Sequence, residues 1–312
     1  MGTPEFAVPG LQALIDQYNV VGVVTQPDRP AGRGQQLRPS PVKELAQKAG
    51  LPLYQPASLR RPETADPIRE WQPDLIIVAA FGQILRPYLL DLPPLGCLNV
   101  HASLLPRWRG ASPIQHAILA GDARTGISLM QMDEGLDTGP VYIKEAIAIQ
   151  PDETAVTLHD RLAELGASML TTHLDDMING RLSPTPQDNT HSTYAPMITK
   201  EAGELDWQQP APALDRRIRA MTPWPGAYTW WQGERLKIKT AVFIPANQLP
   251  SGQPGQVVQL TTSEGIQSET AVVLTSQGGL QLQTIQLAGK RTMTMQDFLR
   301  GRPEFIGTTL GE

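Results

Sequence analysis

Four short apolar runs, separated by stretches of helical character, constrain this chain more than any other feature. They are Asn19-Val-Val-Gly-Val-Val-Thr25, Asp74-Leu-Ile-Ile-Val-Ala-Ala80, Gly96-Cys-Leu-Asn-Val-His101 and Ile127-Ser-Leu-Met-Gln-Met132. Short apolar, β-branched runs of this kind read as buried strands; the fourth alternates in character. Helices are expected near residues 8–17, 62–71 and 112–121, and over 42–49, where Gly50 ends the helix. Buried strands with helices between them predict an α/β domain with a doubly wound, mostly parallel sheet. Such sheets bind ligands beyond the carboxyl ends of their strands, so chemistry is expected just after residues 25, 80 and 101.

The pattern then changes. A long amphipathic helix is expected over residues 154–179, stopped by Gly180. Residues 181–196 are poor in apolar side chains and hold three prolines, the composition of a connector. A helix is expected over 211–221. Strand-like runs follow at 227–231, 236–243, 255–260, 271–275 and 280–285, with Gly, Pro and Ser between them. Five short strands fit a small β-barrel of the oligonucleotide-binding kind. The expected organisation is therefore a catalytic domain over 1–181, a linker over 182–205 and a β-barrel over 206–312. No internal repeat is present.

Charge and cysteine usage narrow the partners. The 312 residues carry 26 Lys/Arg against 31 Asp/Glu, a net −5, but the charge is uneven. Residues 1–205 hold 16 basic and 23 acidic side chains; residues 206–312 hold 10 and 8. A mildly basic carboxyl-terminal domain suits a polyanion, and equally suits an ordinary solvated domain. Cys97 is the one cysteine, which excludes an intrachain disulfide. Five histidines with no close His/Cys pairing argue against structural zinc, and no metal is expected. No apolar run is long enough to span a bilayer, and the start lacks the basic-then-apolar pattern of a secretory signal. A cytoplasmic monomer without membrane contact is expected.

Three constellations carry candidate chemistry. In Asn99-Val-His-Ala-Ser-Leu-Leu-Pro-Arg-Trp-Arg-Gly110, strand alternation puts Asn99 and His101 on one face at a strand's carboxyl end. An amide there can donate to a developing oxyanion, and an imidazole beside it can move a proton near neutral pH. Taken alone, Asn-x-His fits a hydrogen-bonded strand end more readily. In Met132-Asp-Glu-Gly-Leu-Asp-Thr-Gly139, glycines bracket Asp137, which can orient His101 or hold a water, or simply bond its own turn. The loop Gln26-Pro-Asp-Arg-Pro-Ala-Gly-Arg-Gly-Gln-Gln-Leu-Arg-Pro39 carries Arg29, Arg33 and Arg38. Basic side chains on such a loop suit phosphate contact, and a plain surface loop is the alternative. The aromatics of residues 222–231 can stack bases, though barrel core is the commoner role.

Together these segments resemble the methionyl-tRNA formyltransferases, a branch of the folate-dependent formyltransferases. The resemblance runs in order along the chain. It takes in Gly2-Thr-Pro-Glu-Phe-Ala7, Thr25-Gln-Pro-Asp-Arg-Pro-Ala-Gly-Arg-Gly34 and Pro39-Ser-Pro-Val-Lys43. It continues through Asn99 to Gly110, Gly135-Leu-Asp-Thr-Gly139 and Pro223-Trp-Pro-Gly226. The resemblance implies 10-formyltetrahydrofolate as co-substrate and methionyl initiator tRNA as acceptor. It implies Asn99, His101 and Asp137 as catalytic residues. Donor contacts are expected from Phe81, Gly82, Ile84, Leu85, Ser103, Leu104, Leu105 and Pro106. Arg29, Arg33 and Arg38 are expected to contact the tRNA. The family also has a first strand ahead of Gly-Thr-Pro that this chain lacks, so a start a few residues upstream is expected. The rivals are a folate-dependent formyltransferase acting on a small amine and a non-catalytic RNA-binding protein. A dinucleotide dehydrogenase is weaker, because no G-x-G-x-x-G follows a strand.

Overall fold

The fold was obtained as a computed structural model that describes residues 1–31, 36–261 and 267–311. The chain divides into two compact units. One comprises residues 1–113, 124–148 and 157–196; the other comprises 114–123, 149–156 and 197–312.

The first unit is α/β. Helix α1 (Val8–Gln17) is followed by β1 (Val23–Val24), the hairpin β2 (Arg29–Ala31) and β3 (Gln36–Arg38), and α2 (Pro41–Lys48). Then come β4 (Leu53–Tyr54), α3 (Asp66–Glu70), β5 (Ile76–Val78), α4 (Pro87–Leu90) and β6 (Cys97–His101). The chain continues through β7 (Arg124–Gln131), β8 (Val141–Ala148) and α6 (Ala155–Ile178); α5 (Pro113–Ala120), between β6 and β7 in the chain, belongs almost wholly to the second unit. Local chemistry explains several boundaries. Pro41 occupies the first turn of α2, where its missing N–H is harmless, and Ser40 Oγ accepts from Lys43 N at 3.1 Å as the cap. Gly50, at φ +67°, stops the same helix.

The sheet is mixed. β1 pairs with β4 in parallel, and β5 pairs with β6 in parallel. β6–β7 and β7–β8 are antiparallel, giving the order β5-β6-β7-β8. β8 lies at residues that read as no strand in the sequence, because Lys144 and Glu145 interrupt its apolar pattern. β7 is buried over six consecutive residues instead of alternating. One reason is that α6 packs on the Val100 face of β6: a Cβ on Gly166 would lie 2.9 Å from Val100 Cγ1. The opposite face carries Asn99 and His101, with Met130 and Ser128 directly across from them.

The β1–β4 pair and the β5–β8 sheet are bridged by the first two residues. Gly2 N donates to Val24 O at 3.1 Å, and Ala79 N donates to Met1 O at 3.0 Å. A cleft of about 310 Å³ opens between these sheets, lined by Val21, Ile77, Val100, Leu170 and neighbouring apolar groups. Asn99, His101 and Asp137 do not line it.

The second unit is an antiparallel β domain. Helix α7 (Ala211–Ala220) precedes β9 (Ala227–Trp231), β10 (Glu234–Ile244), β11 (Val257–Thr261), β12 (Gln267–Leu274) and β13 (Gly279–Leu287). β14 (Met293–Thr294) and α8 (Met295–Gly301) follow. The strands run in the order β11-β12-β13-β10-β9, with β14 on β13. The aromatic residues divide between roles. Trp231, Phe298 and Phe305 meet edge to face with ring centroids 5.2–5.5 Å apart inside the core. Trp224 is exposed.

Candidate functional site

The site is assembled where β5 and β6 end side by side. Their parallel register sets Val78 opposite Asn99, so the segments that leave them, 79–85 and 102–110, emerge at one edge. Asn99 and His101 project from the same face of β6, and the loop 132–140 brings Asp137 to them. Asn99 Nδ2 lies 3.5 Å from Asp137 Oδ1, and His101 Nδ1 lies 3.7 Å from the same oxygen. The other carboxylate oxygen accepts from Gly110 N at 2.8 Å. His101 is buried, and its Nε2 donates to Trp108 O at 2.9 Å, which places a proton on Nε2 and turns Nδ1 toward Asp137. All three predicted catalytic residues are thus brought together.

The backbone around the site is strained in a consistent way. Ala80, Trp108 and Asp137 all adopt positive φ, at 45°, 63° and 52°. Non-glycine residues in this region cost about 1–3 kcal/mol each and persist where surroundings over-determine them. The loop holding Asp137 is closed by Asp133, whose Oδ1 accepts from Gly135 N at 3.0 Å and Thr138 Oγ1 at 2.7 Å. Gly139 leaves no room for a side chain, since a Cβ would stand 1.9 Å from Gln131 O.

The predicted donor contacts divide by exposure. Gly82 and Ile84 are exposed, and Leu104 and Pro106 are half-buried, so these four are open to a ligand. The side chains of Phe81, Leu85 and Leu105 are buried in the core. They support the two loops, and a ligand meets their backbone at most. Ser103 is also buried, its Oγ donating to Arg107 O at 2.6 Å. The turn 103–106 is pinned by two residues that sequence reasoning missed. Ser128 Oγ donates to Ser103 O at 2.6 Å and accepts from Leu105 N at 3.0 Å; Lys144 Nζ donates to Leu105 O at 2.7 Å. The available signal was a polar or charged residue within an otherwise apolar strand.

Arg29 and Arg38 lie exposed and directly opposite each other on the β2–β3 hairpin. Arg33 lies outside the described residues. The hairpin's root is fixed by Asp28, which pairs with Lys43 Nζ at 2.6 Å and accepts from Gln55 Nε2 at 2.8 Å. The hydrogen bonds from Lys43 and Gln55 hold the Asp28 carboxyl below its usual range.

An amide, an imidazole and a carboxylate converging beyond the ends of α/β strands make an arrangement that can transfer an acyl group through an oxyanion. Comparison with known proteins gives the particular kind. Residues 2–174 match the formyl transferase family model, and residues 197–303 match that of the formyl transferase carboxyl-terminal domain. The methionyl-tRNA formyltransferase of Trichlorobacter lovleyi is 48% identical over 99% of this chain and 95% of its own length. That of Pelobacter propionicus is 49% identical over 100% and 95%. The chain belongs to the formyl transferase family, in its methionyl-tRNA formyltransferase branch. Among solved structures, an N-formyltransferase from Helicobacter canadensis, in complex with folinic acid and dTDP-3-aminofucose, shares the fold. It has a TM-score of 0.63 at 16% identity, over 90% of this chain and 97% of that one. HypX from Aquifex aeolicus in complex with tetrahydrofolic acid matches with a TM-score of 0.58 at 20% identity, over 84% and 44%.

Proposed function

We propose that this chain transfers the formyl group of 10-formyltetrahydrofolate to the free amino group of methionyl initiator tRNA, giving N-formylmethionyl-tRNA for translation initiation. The observation that carries this reading is the end-to-end match to methionyl-tRNA formyltransferases, over both domains, in a chain that brings Asn99, His101 and Asp137 together. In the transfer, a bond forms between the methionyl nitrogen and the formyl carbon. The bond from that carbon to the folate nitrogen breaks, and the amine's proton passes to the folate nitrogen. Asn99 donates its amide N–H to the oxygen that becomes an oxyanion. His101 polarises the same carbonyl and relays the proton, and Asp137 orients the imidazole. Exposed Ile84 and Gly82, with Leu104 and Pro106, offer an apolar wall suited to a pterin ring.

Arg29 and Arg38 present positive charge on the hairpin for the acceptor end of the tRNA, and the second unit holds the RNA backbone. The enzyme acts in the cytoplasm and as a monomer on this reading. No helix among the described residues is long and apolar enough to cross a membrane. The deciding experiment supplies 10-formyltetrahydrofolate and compares charged initiator tRNA with glycinamide ribonucleotide and amino-sugar nucleotides. Formylation of the tRNA is expected; preferential formylation of a small amine overturns the reading.

A further inference from the structure

Residues 181–196 read in the sequence as a connector, yet they strap the two loops that build the site. Thr185 forms a two-way backbone pair with Val141, each N–H donating to the other's carbonyl at 2.9 Å. Further along, Arg109 N donates to Thr193 O at 2.9 Å, and Ala195 N donates to Arg109 O at 2.7 Å. Trp108 N donates to Thr193 Oγ1 at 2.8 Å. Between these anchors stands Gln187, half-buried. Its Nε2 donates to Asp137 O at 2.8 Å and to Gly139 O at 2.7 Å. Its Oε1 accepts from Arg109 Nε at 3.1 Å and Nη2 at 2.8 Å, and the same Nη2 donates to Asn189 Oδ1 at 2.8 Å.

This orientation of the amide is dictated by its neighbours. Flipped, it would set an NH₂ against a guanidinium and an oxygen against two carbonyls. One side chain therefore ties the loop that presents Asp137 to the loop that supplies Gly110 N and the Trp108 carbonyl. The first loop holds Asp137 at positive φ, outside the region most side chains prefer.

We propose that Gln187 is a positioning residue for formyl transfer, clamping the backbone of Asp137 and Gly139 against Arg109 so that the carboxylate stays aimed at Asn99 and His101. The proposal rests on the reading of those three residues as the transfer site. Gln187 touches neither substrate in this role, so its loss acts on the rate of the chemical step. A misplacement of about 1 Å at a reacting group lowers rates by up to about a hundredfold.

The test uses the full chain carrying Gln187→Ala, Gln187→Met or Gln187→Glu, assayed on charged initiator tRNA. All three are expected to lower kcat about tenfold or more, with both KM values little changed. Glu is informative because it keeps an acceptor for Arg109 and loses both donors to the Asp137 loop. A Gln187→Glu enzyme with full kcat overturns the clamp. In an Asp137→Asn background, Gln187→Ala is expected to add little to the loss already present; additive losses overturn the proposal. So does a fall in kcat that merely follows loss of folded protein by circular dichroism. The unaltered chain, assayed alongside, separates these outcomes from a failure of the functional reading itself.

Discussion

Asn99 reaches the site because β6 alternates: Val100 turns toward α6, and its neighbours turn the other way. Its amide is only loosely engaged by Asp137, at 3.5 Å, which leaves a donor for an oxyanion. Asn99→Ala is expected to lower kcat by ~10²–10³ while leaving folate affinity, measured by fluorescence titration, nearly unchanged. Near-full turnover by that variant refutes the role. Two positions earlier on the strand, Cys97 serves packing. Its Sγ donates to Leu89 O at 3.5 Å, and burial pushes the thiol from 9.0 up to about 12. The unfolded chain therefore releases this proton near its ordinary value, while the folded chain retains it to about 12. Stability from this group is complete below about pH 9 and is lost as pH rises toward 12. Urea midpoints at about pH 8 and about pH 10 should fall further in the parent than in Cys97→Ala. Equal falls in both would contradict the assignment.

Among the elements, the β2–β3 hairpin makes the sharpest claim on an anionic partner. Arg29 and Arg38 are cross-strand neighbours, and like charges in that position repel unless an anion lies between or beside them. Arg29→Ala and Arg38→Ala are each expected to raise KM for tRNA and to flatten its dependence on salt. Each lost phosphate contact removes about 0.7–0.9 from the logarithmic slope. Slow hydrolysis of the folate donor should not change; a parallel loss there assigns the hairpin to the donor instead. Helices such as α1 and α6 were legible in the sequence because their spacing and stop signals are local. So were Asn99 and His101, since a strand end and a two-residue interval are read along the chain. β8 was hidden by Lys144 and Glu145, whose charges break the apolar pattern. One of them, Lys144, is spent on the Leu105 carbonyl. Gln187 was hidden for a different reason. Its partner Asp137 lies 50 residues away, and nothing in a polar, proline-bearing segment marks one amide as the clamp.

At the scale of the whole molecule, the chain divides less simply than its composition suggests. The α/β unit holds the candidate chemistry, and the β unit takes in residues 114–123 and 149–156 besides 197–312, so the mildly basic stretch 206–312 is only part of it. The cohesion of the first unit is less even than a continuous sheet would give. β1 and β4 form a pair of two residues each, joined to the longer β5–β8 ladder through Met1 and Gly2, with an apolar cleft between. Segments with few cross-links open before the rest of a domain does. In hydrogen–deuterium exchange, the amides of Val23 and Thr25, which donate to Pro52 O and Tyr54 O, should lose protection well before those of Val100 and Leu129, and in step with α1 and α2. Uniform protection across both sheets would show the seam to be as strong as the ladders it separates. If the early opening is observed, this enzyme will be cut first by proteases, and will begin to unfold on heating, along the seam beside α1. The edge where Asn99, His101 and Asp137 meet will hold its shape longer.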